Sequence, residues 1–323
     1  MERVFRAIFL KDDRLRPVIR CVVYVVLTIV CAELLAAIGG LTALAAGVKP
    51  SDLEGDSSYP ALLISEACLC AAAVGVAIAA RRLLDRRSVA SLGLSFQGRW
   101  PRLLLTGILI GAGMQAGIFA ADAALGYSRV TAFAPASVDA LELLKYVPVL
   151  AAVAVAEEML TRGYLFQNLW EEWGAPAAVV ISAAIFAAGH LDNPNSHEQL
   201  VLTVSGLLAY GVWAALSVMW TRSLWLVVGV HFAWNLFEGS VFGFPVSGVM
   251  FGTPAIAQTA AGPAWFTGGS FGPEAGASSL AALALGFGTL YWLHRAGAFA
   301  DSPDTREAYA REPVAAGVRQ MKR

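Results

Sequence analysis

The sequence predicts an all-α protein, a polytopic membrane bundle of about eight transmembrane helices. Composition is the first reason: 57% of the 323 residues are hydrophobic and 15% are charged, whereas soluble domains are about 25% charged. The second is the mean hydropathy of +0.62. The third is charge placement, because Lys and Arg collect in alternate segments between the apolar stretches, as they do in cytoplasmic loops of membrane proteins.

Eight apolar stretches are candidate spans, since a helix needs about 20 apolar residues to cross the hydrocarbon of a bilayer. The fourth to seventh of them are less uniform, because they contain polar residues. The candidates lie near residues 18–40, 60–80, 103–125, 146–166, 174–190, 199–220, 223–241 and 277–294.

The basic residues predict the orientation of these spans. If the N-terminus is cytoplasmic, all of the 23 Lys and Arg residues except Lys49, Arg129 and Lys145 fall on the cytoplasmic side, as the positive-inside rule requires. We therefore expect a multi-pass protein of a bacterial cytoplasmic membrane with both termini in the cytoplasm. The net charge of −1 gives no indication of a nucleic-acid partner.

The chain divides into four predicted regions. Residues 1–141 hold a cytoplasmic lead and three spans, 142–240 the polar core, 241–300 an external loop and the last span, and 301–323 a cytoplasmic tail. The loop over 239–276 has no Lys or Arg and contains several aromatic residues, which indicate contact with the membrane surface. A lid is one alternative for this loop, and a connection without that role is the other. The aromatic residues are Phe242, Phe244, Phe251, Trp265, Phe266 and Phe271.

Two acids and an arginine interrupt the fourth span. Glu157, Glu158 and Arg162 follow eleven uncharged residues, and each ionised group at mid-bilayer costs about 2.5–3.5 kcal/mol. An i,i+4 ion pair in water returns only about 0.3–0.5 kcal/mol. These groups must therefore line an internal cavity or lie near the interface.

Helix geometry gives the two acids different neighbours. Glu158 and Arg162 are four residues apart and about 40° from each other around the helix, whereas Glu157 is rotated by about 100° from Glu158. Glu158 can therefore pair with Arg162. Glu157 shares its face with Thr161 and Tyr164 and has no cation there.

Two further spans carry histidine. His190 ends the fifth span, and His231 and Asn235 lie four residues apart on the seventh. Together with Glu157 they can hold and deprotonate a water and stabilise a developing oxyanion, which is the chemistry of acyl-transfer hydrolysis. A single histidine in a membrane helix also serves simply to hydrogen-bond a neighbouring helix, and this alternative stays open for His190 and His231.

These residues resemble the motifs of the CAAX prenyl protease and bacteriocin-processing family of intramembrane proteases, also called the Abi or type II CAAX endopeptidase family. The resemblance covers about residues 142–240. The motifs occur in family order, with EExxxR at Glu157, Glu158 and Arg162, FxxxH at Phe186 and His190, and HxxxN at His231 and Asn235.

The resemblance implies an endopeptidase that cleaves membrane-associated peptides or proteins. It makes Glu157 the general base, with His190 helping to hold the water and His231 and Asn235 forming the oxyanion site. The pair of Glu158 and Arg162 would fix the helix, and Phe186 would support it.

The family has been described as metal-dependent and as metal-independent. No HExxH motif is present. We favour the metal-free alternative because the acid and the amide have clear roles as base and oxyanion donor without a metal. If zinc or another divalent metal is used, Glu157, His190 and His231 would be its ligands. Two non-proteolytic alternatives remain, a membrane scaffold or immunity protein of the same fold, and a proton-coupled transporter that uses these three residues as a relay.

Overall fold

The computed structural model of the chain describes residues 9–11, 14–54, 58–133 and 144–299. Most of the predicted lead, the boundary at residue 142 and the predicted tail lie outside the described residues. Helices dominate the rest, as predicted. The helices are α1 (Pro17–Ala45), α2 (Tyr59–Leu83), α3 (Trp100–Ala124), α4 (Tyr146–Glu158), α5 (Phe166–Trp173), α6 (Ala175–Ala188), α7 (Leu200–Thr221), α8 (Trp225–Asn235), α9 (Ala264–Thr267) and α10 (Ala277–Arg295).

Shorter elements join these helices. Two π-helical segments continue α4 and α8, and three short 3₁₀ turns lie in the connections. The π-helical segments are Met159–Leu165 and Leu236–Val241, and the 3₁₀ turns are Pro50–Leu53, Val89–Leu92 and Pro273–Ala275.

Four helices among the described residues are long and apolar enough to cross a membrane, namely α1, α2, α3 and α7. The chain is therefore an integral membrane protein, but this criterion supports only half of the eight predicted spans. The predicted span at 174–190 contains a helix of 14 residues, and the one at 223–241 a helix of 11. Both are shorter than the roughly 20 residues that a span needs.

Helix α8 is short because it lies inside the protein and not in lipid. Of its 11 residues, only Phe232 is not buried. Glycines let α3 pack backbone to backbone against it: a Cβ at Gly107 would collide with the carbonyl oxygen of Leu226, and one at Gly229 with that of Leu104. This close approach sets the position of His231, two residues beyond Gly229.

A buried charge network joins α1, α2 and the segment after α4. Asp85, completely buried just after α2, accepts hydrogen bonds from Arg20 Nη1 at 2.7 Å, Arg81 Nη1 at 3.0 Å and the Tyr164 hydroxyl at 3.1 Å. Buried charges are tolerated when they are paired in this way. The network holds the two N-terminal helices against the helix that carries the acids.

The described part of the chain is mostly helical, as predicted, and it also contains two short pairs of strands. Strands β1 (Leu10–Lys11) and β2 (Arg14–Leu15) pair antiparallel. Strands β3 (Ser128–Phe133) and β4 (Ile256–Ala260) form a second antiparallel pair. The second pair ties the segment after α3 to the long connection before α10, and residues this far apart in sequence give no local signal of pairing.

The connection between α8 and α10 folds onto the helices. Four of the six aromatic residues in 239–276 are buried, and Phe271 is completely so, whereas Trp265 is 55% exposed. Phe251 and Val246 pack against Tyr146 and Leu150 of α4. The expectation that these aromatics contact the membrane surface is therefore wrong for most of them, because they form a wall of the protein interior.

Candidate active site

Glu157 and Glu158 are the last two residues of α4, immediately before the π-helical segment Met159–Leu165. Such segments insert about one extra residue into a turn and often occur at functional sites. The Thr161 hydroxyl donates to the backbone carbonyl of Glu157 at 2.6 Å. The carboxylates therefore lie where the helix widens.

Glu158 is completely buried and is bound from three sides. Arg162 Nη1 lies 3.2 Å from its Oε2, the Tyr210 hydroxyl donates to Oε1 at 2.9 Å, and His231 Nδ1 lies 3.0 Å from Oε1. The Arg162 guanidinium stacks over the Phe186 ring at 4.4 Å. The predicted ion pair is thus present, and Glu158 also orients one of the motif histidines.

Tyr164 does not share the environment of Glu157. Its hydroxyl donates to Asp85, and its ring packs against Tyr24 with centroids 4.4 Å apart. The prediction of a shared face is wrong because it assumed 3.6 residues per turn, and the π-helical segment breaks that periodicity.

Both histidines present the same nitrogen to Glu157. His190 Nδ1 lies 2.9 Å from the Phe186 carbonyl, and His231 Nδ1 is bound to the Glu158 carboxylate. Carbonyl and carboxylate oxygens only accept hydrogen bonds, so each Nδ1 must carry a hydrogen. The Nε2 atoms of His190 and His231 then lie 3.6 Å and 3.9 Å from Glu157 Oε2.

These three side chains line a cavity of about 220 Å³, which Asn235 also lines. The structure therefore brings together all the predicted catalytic residues, from α4, the end of α6 and α8. The Glu157 side chain is 29% exposed, compared with 14% for His190 and 7% for His231. The Glu157 side chain is thus the most exposed of the three, but its Oε2 atom, which faces the histidines, is buried and has no hydrogen-bond partner among the described residues.

Other cavity residues were not predicted as site residues. Tyr210 comes from α7, Glu66 from α2, and Ser247 and Glu274 from the connection before α10. A carboxylate in a membrane helix is a signal of function in its own right, so Glu66 could have been found from the sequence. Glu274 and Ser247 could not, because nothing local indicates that their connection folds inward.

The geometry can be compared with that of a zinc site. Three ligands about 2.0–2.2 Å from a tetrahedral zinc lie roughly 3.3 Å from one another, and the two distances to Glu157 Oε2 are longer. Among the described residues, no group of three or more His, Cys, Asp or Glu is arranged to hold a metal ion. The Nε2 atoms and the Glu157 carboxylate are suitable ligand atoms, and their spacing is a few tenths of an ångström wider than that of zinc ligands.

The family model described as Type II CAAX prenyl endopeptidase Rce1-like matches residues 139–237. The matched segment contains all seven residues of the three motifs. This segment is similar to CAAX prenyl endopeptidases. The match confirms the resemblance drawn from the three motifs and covers just under a third of the chain, while Glu66, Ser247 and Glu274 lie outside it. No curated protein and no solved structure matches the chain significantly.

Proposed function

We propose that the protein is an intramembrane endopeptidase in which Glu157 activates a water for attack on a peptide bond. The observation that carries the proposal is the convergence of Glu157 Oε2 with the Nε2 atoms of His190 and His231 at the wall of one cavity. Both distances are too long for direct hydrogen bonds. A water about 2.8 Å from each of the three atoms is compatible with this spacing.

In this mechanism Glu157 accepts a proton from the water while His190 holds it in place. The water oxygen attacks the carbonyl carbon and produces a tetrahedral intermediate with a negative oxygen. The Asn235 amide donates a hydrogen bond to that oxygen, and His231 does so from Nε2 in its doubly protonated form, with Nδ1 still bound to Glu158. Each such donor contributes about 10²–10³ in rate. Glu158 supports His231 by accepting from its Nδ1.

The reaction that we propose needs no metal. Glu157 serves as a base, Asn235 as an oxyanion donor, and His231 is held by Glu158, so each residue has a function without a Lewis acid. The spacing of the three polar atoms, wider than that of zinc ligands, supports this choice.

We further propose that the substrates are membrane-associated peptides or proteins and that the chain crosses a bacterial cytoplasmic membrane about eight times, with both termini in the cytoplasm. The matched family supports the substrate class. The distribution of Lys and Arg supports the orientation. In this arrangement, α8 lies within the bundle, because all but one of its residues are buried.

Mapping of new protein termini in membranes tests the proposal. Cells that carry the wild-type protein should contain peptide termini that are missing from cells that carry Glu157→Gln at equal abundance. Asp192→Asn, a change in an exposed acid, is the matched control and should leave those termini unchanged. Identical termini in wild-type and Glu157→Gln cells would refute proteolysis and favour a non-catalytic scaffold.

A further inference from the structure

Glu274 is a second carboxylate in the cavity, supplied by a part of the chain outside the matched core. It lies in the turn Pro273–Ala275 and lines the same cavity as Glu157, His190 and His231. Its charge interacts with those of both histidines and of Glu157. None of the residues that line the cavity is Lys or Arg, so the two histidines are the only lining groups that can carry a positive charge near Glu274.

The position of Glu274 is fixed on both its backbone and its side chain. Its backbone carbonyl packs so closely on Gly206 of α7 that a Cβ there would collide with it. Its Oε2 accepts a hydrogen bond of 2.5 Å from Ser247 Oγ. Ser247 itself has a φ of 47°, a left-handed conformation that costs energy in a residue other than glycine and often occurs at functional sites.

Burial favours a proton on Glu274. Withdrawal from bulk water raises the pKa of Glu274, and the negative charge of Glu157 raises it further, against the Ser247 hydrogen bond and the two histidines, which lower it. Glu274 and Glu157 thus have different environments, and such a difference assigns acid and base roles to pairs of carboxyl groups.

We propose that Glu274 is the proton donor to the leaving amine, an inference that rests on the proposed peptidase function. When water attacks, Glu157 takes one of its protons. When the intermediate collapses, the C–N bond breaks, its electron pair goes to nitrogen, and the Glu274 proton joins that nitrogen to release a neutral amine. Transfer of the proton from Glu157 to Glu274 through water then restores the starting state.

The chemistry of the leaving group tests this role. The test uses two quenched-fluorescence peptides that span a cleavage site whose new terminus depends on Glu157. One peptide has the native amide at the cleaved bond, and the other has an ester there. An alkoxide leaves without a proton far more readily than an amide nitrogen. Glu274→Gln, which retains the acceptor for Ser247, should lower kcat on the amide by about 10²–10⁴, leave KM nearly unchanged, and lower ester cleavage far less.

Two controls separate this role from a structural one. Glu157→Gln should lose cleavage of both peptides, and Asp122→Asn, a change in a buried acid that does not line the cavity, should keep both. Equal losses on amide and ester in Glu274→Gln, or no loss on the amide, would overturn the inference while leaving Glu157 in place. If Glu274→Gln does not fold, Glu274→Asp provides the test instead. Because the aspartate side chain is shorter, it should lower the ratio of amide cleavage to ester cleavage. An unchanged ratio would overturn the proposed role of Glu274. Absence of any Glu157-dependent terminus would overturn both proposals.

Discussion

Glu158 has more bonding partners than any other motif residue described here. It binds Arg162, Tyr210 and His231 at once, while its sequence neighbour Glu157 faces the cavity. The two acids are therefore expected to differ in what their removal changes. Loss of Glu158 leaves Arg162 buried without its anion, whereas loss of Glu157 leaves no buried cation behind.

At the residue scale, we predict that Glu158→Gln and Arg162→Leu destabilise the fold. Removing one partner of a buried ion pair costs about 3–5 kcal/mol, so both variants should yield less folded protein and unfold at a lower temperature in detergent. Glu157→Gln is the matched control and should unfold close to wild type. Wild-type stability of both Glu158→Gln and Arg162→Leu, with a loss of turnover alone, would place Glu158 in the chemistry and contradict its structural role.

The sequence could predict the motif residues but not all their neighbours. Charged and imidazole groups in apolar helices are conspicuous, and the i,i+4 spacing of Glu158 and Arg162 predicts their contact. Tyr210 was missed because one tyrosine in an apolar helix is ordinary. Tyr164 was misplaced because no feature of the sequence predicts where a helix widens into a π turn.

At the element scale, the backbone contact between α3 and α8 determines where His231 lies. The hydropathy of the sequence indicates both helices but does not indicate how they pack. The glycines do not indicate it either, because glycines in membrane helices occur on lipid-facing and packed surfaces alike. Gly107 and Gly111 meet α8, whereas a Cβ at Gly113 would meet no atom within 4 Å. Two glycines of one helix thus provide a matched pair for mutation.

We predict that Gly107→Ala weakens the packing of α3 on α8. The new methyl group would collide with backbone atoms of α8, which cannot move aside as a side chain can. Gly113→Ala should be neutral or slightly stabilising, because alanine is favoured over glycine inside a helix by about 0.5–1 kcal/mol. Unfolding temperature and cleavage rate are the readouts. Equal behaviour of the two variants would contradict the described packing.

At the scale of the whole molecule, the long connection before α10 completes the cavity. Composition predicted a loop at this place, but its inward fold depends on the pairing of β3 with β4 and on contacts with α4 and α7. Such contacts between distant residues leave no periodic pattern in the sequence. The helical fold class was predicted correctly because it depends on local apolar stretches, whereas only four of the eight predicted spans are supported among the described residues.

We predict that this connection faces the side of the membrane opposite the two termini. In a variant without the four native cysteines, a cysteine in place of the exposed Thr259 should react with an impermeant thiol reagent in intact cells. A cysteine at position 310 should react only after the cells are opened, because the positive-inside rule places the tail in the cytoplasm. The reverse labelling pattern would overturn the proposed orientation.

The most direct test is the cleavage rate of purified, detergent-solubilised protein on a peptide that spans a Glu157-dependent terminus. Wild type should retain its rate after treatment with a strong chelator. Glu157→Gln should lose about 10²–10⁴ of that rate, as expected for a missing general base, with peptide binding retained. Activity that disappears with chelator and returns with zinc would contradict the metal-free mechanism, and full activity of Glu157→Gln would contradict the role of Glu157 itself.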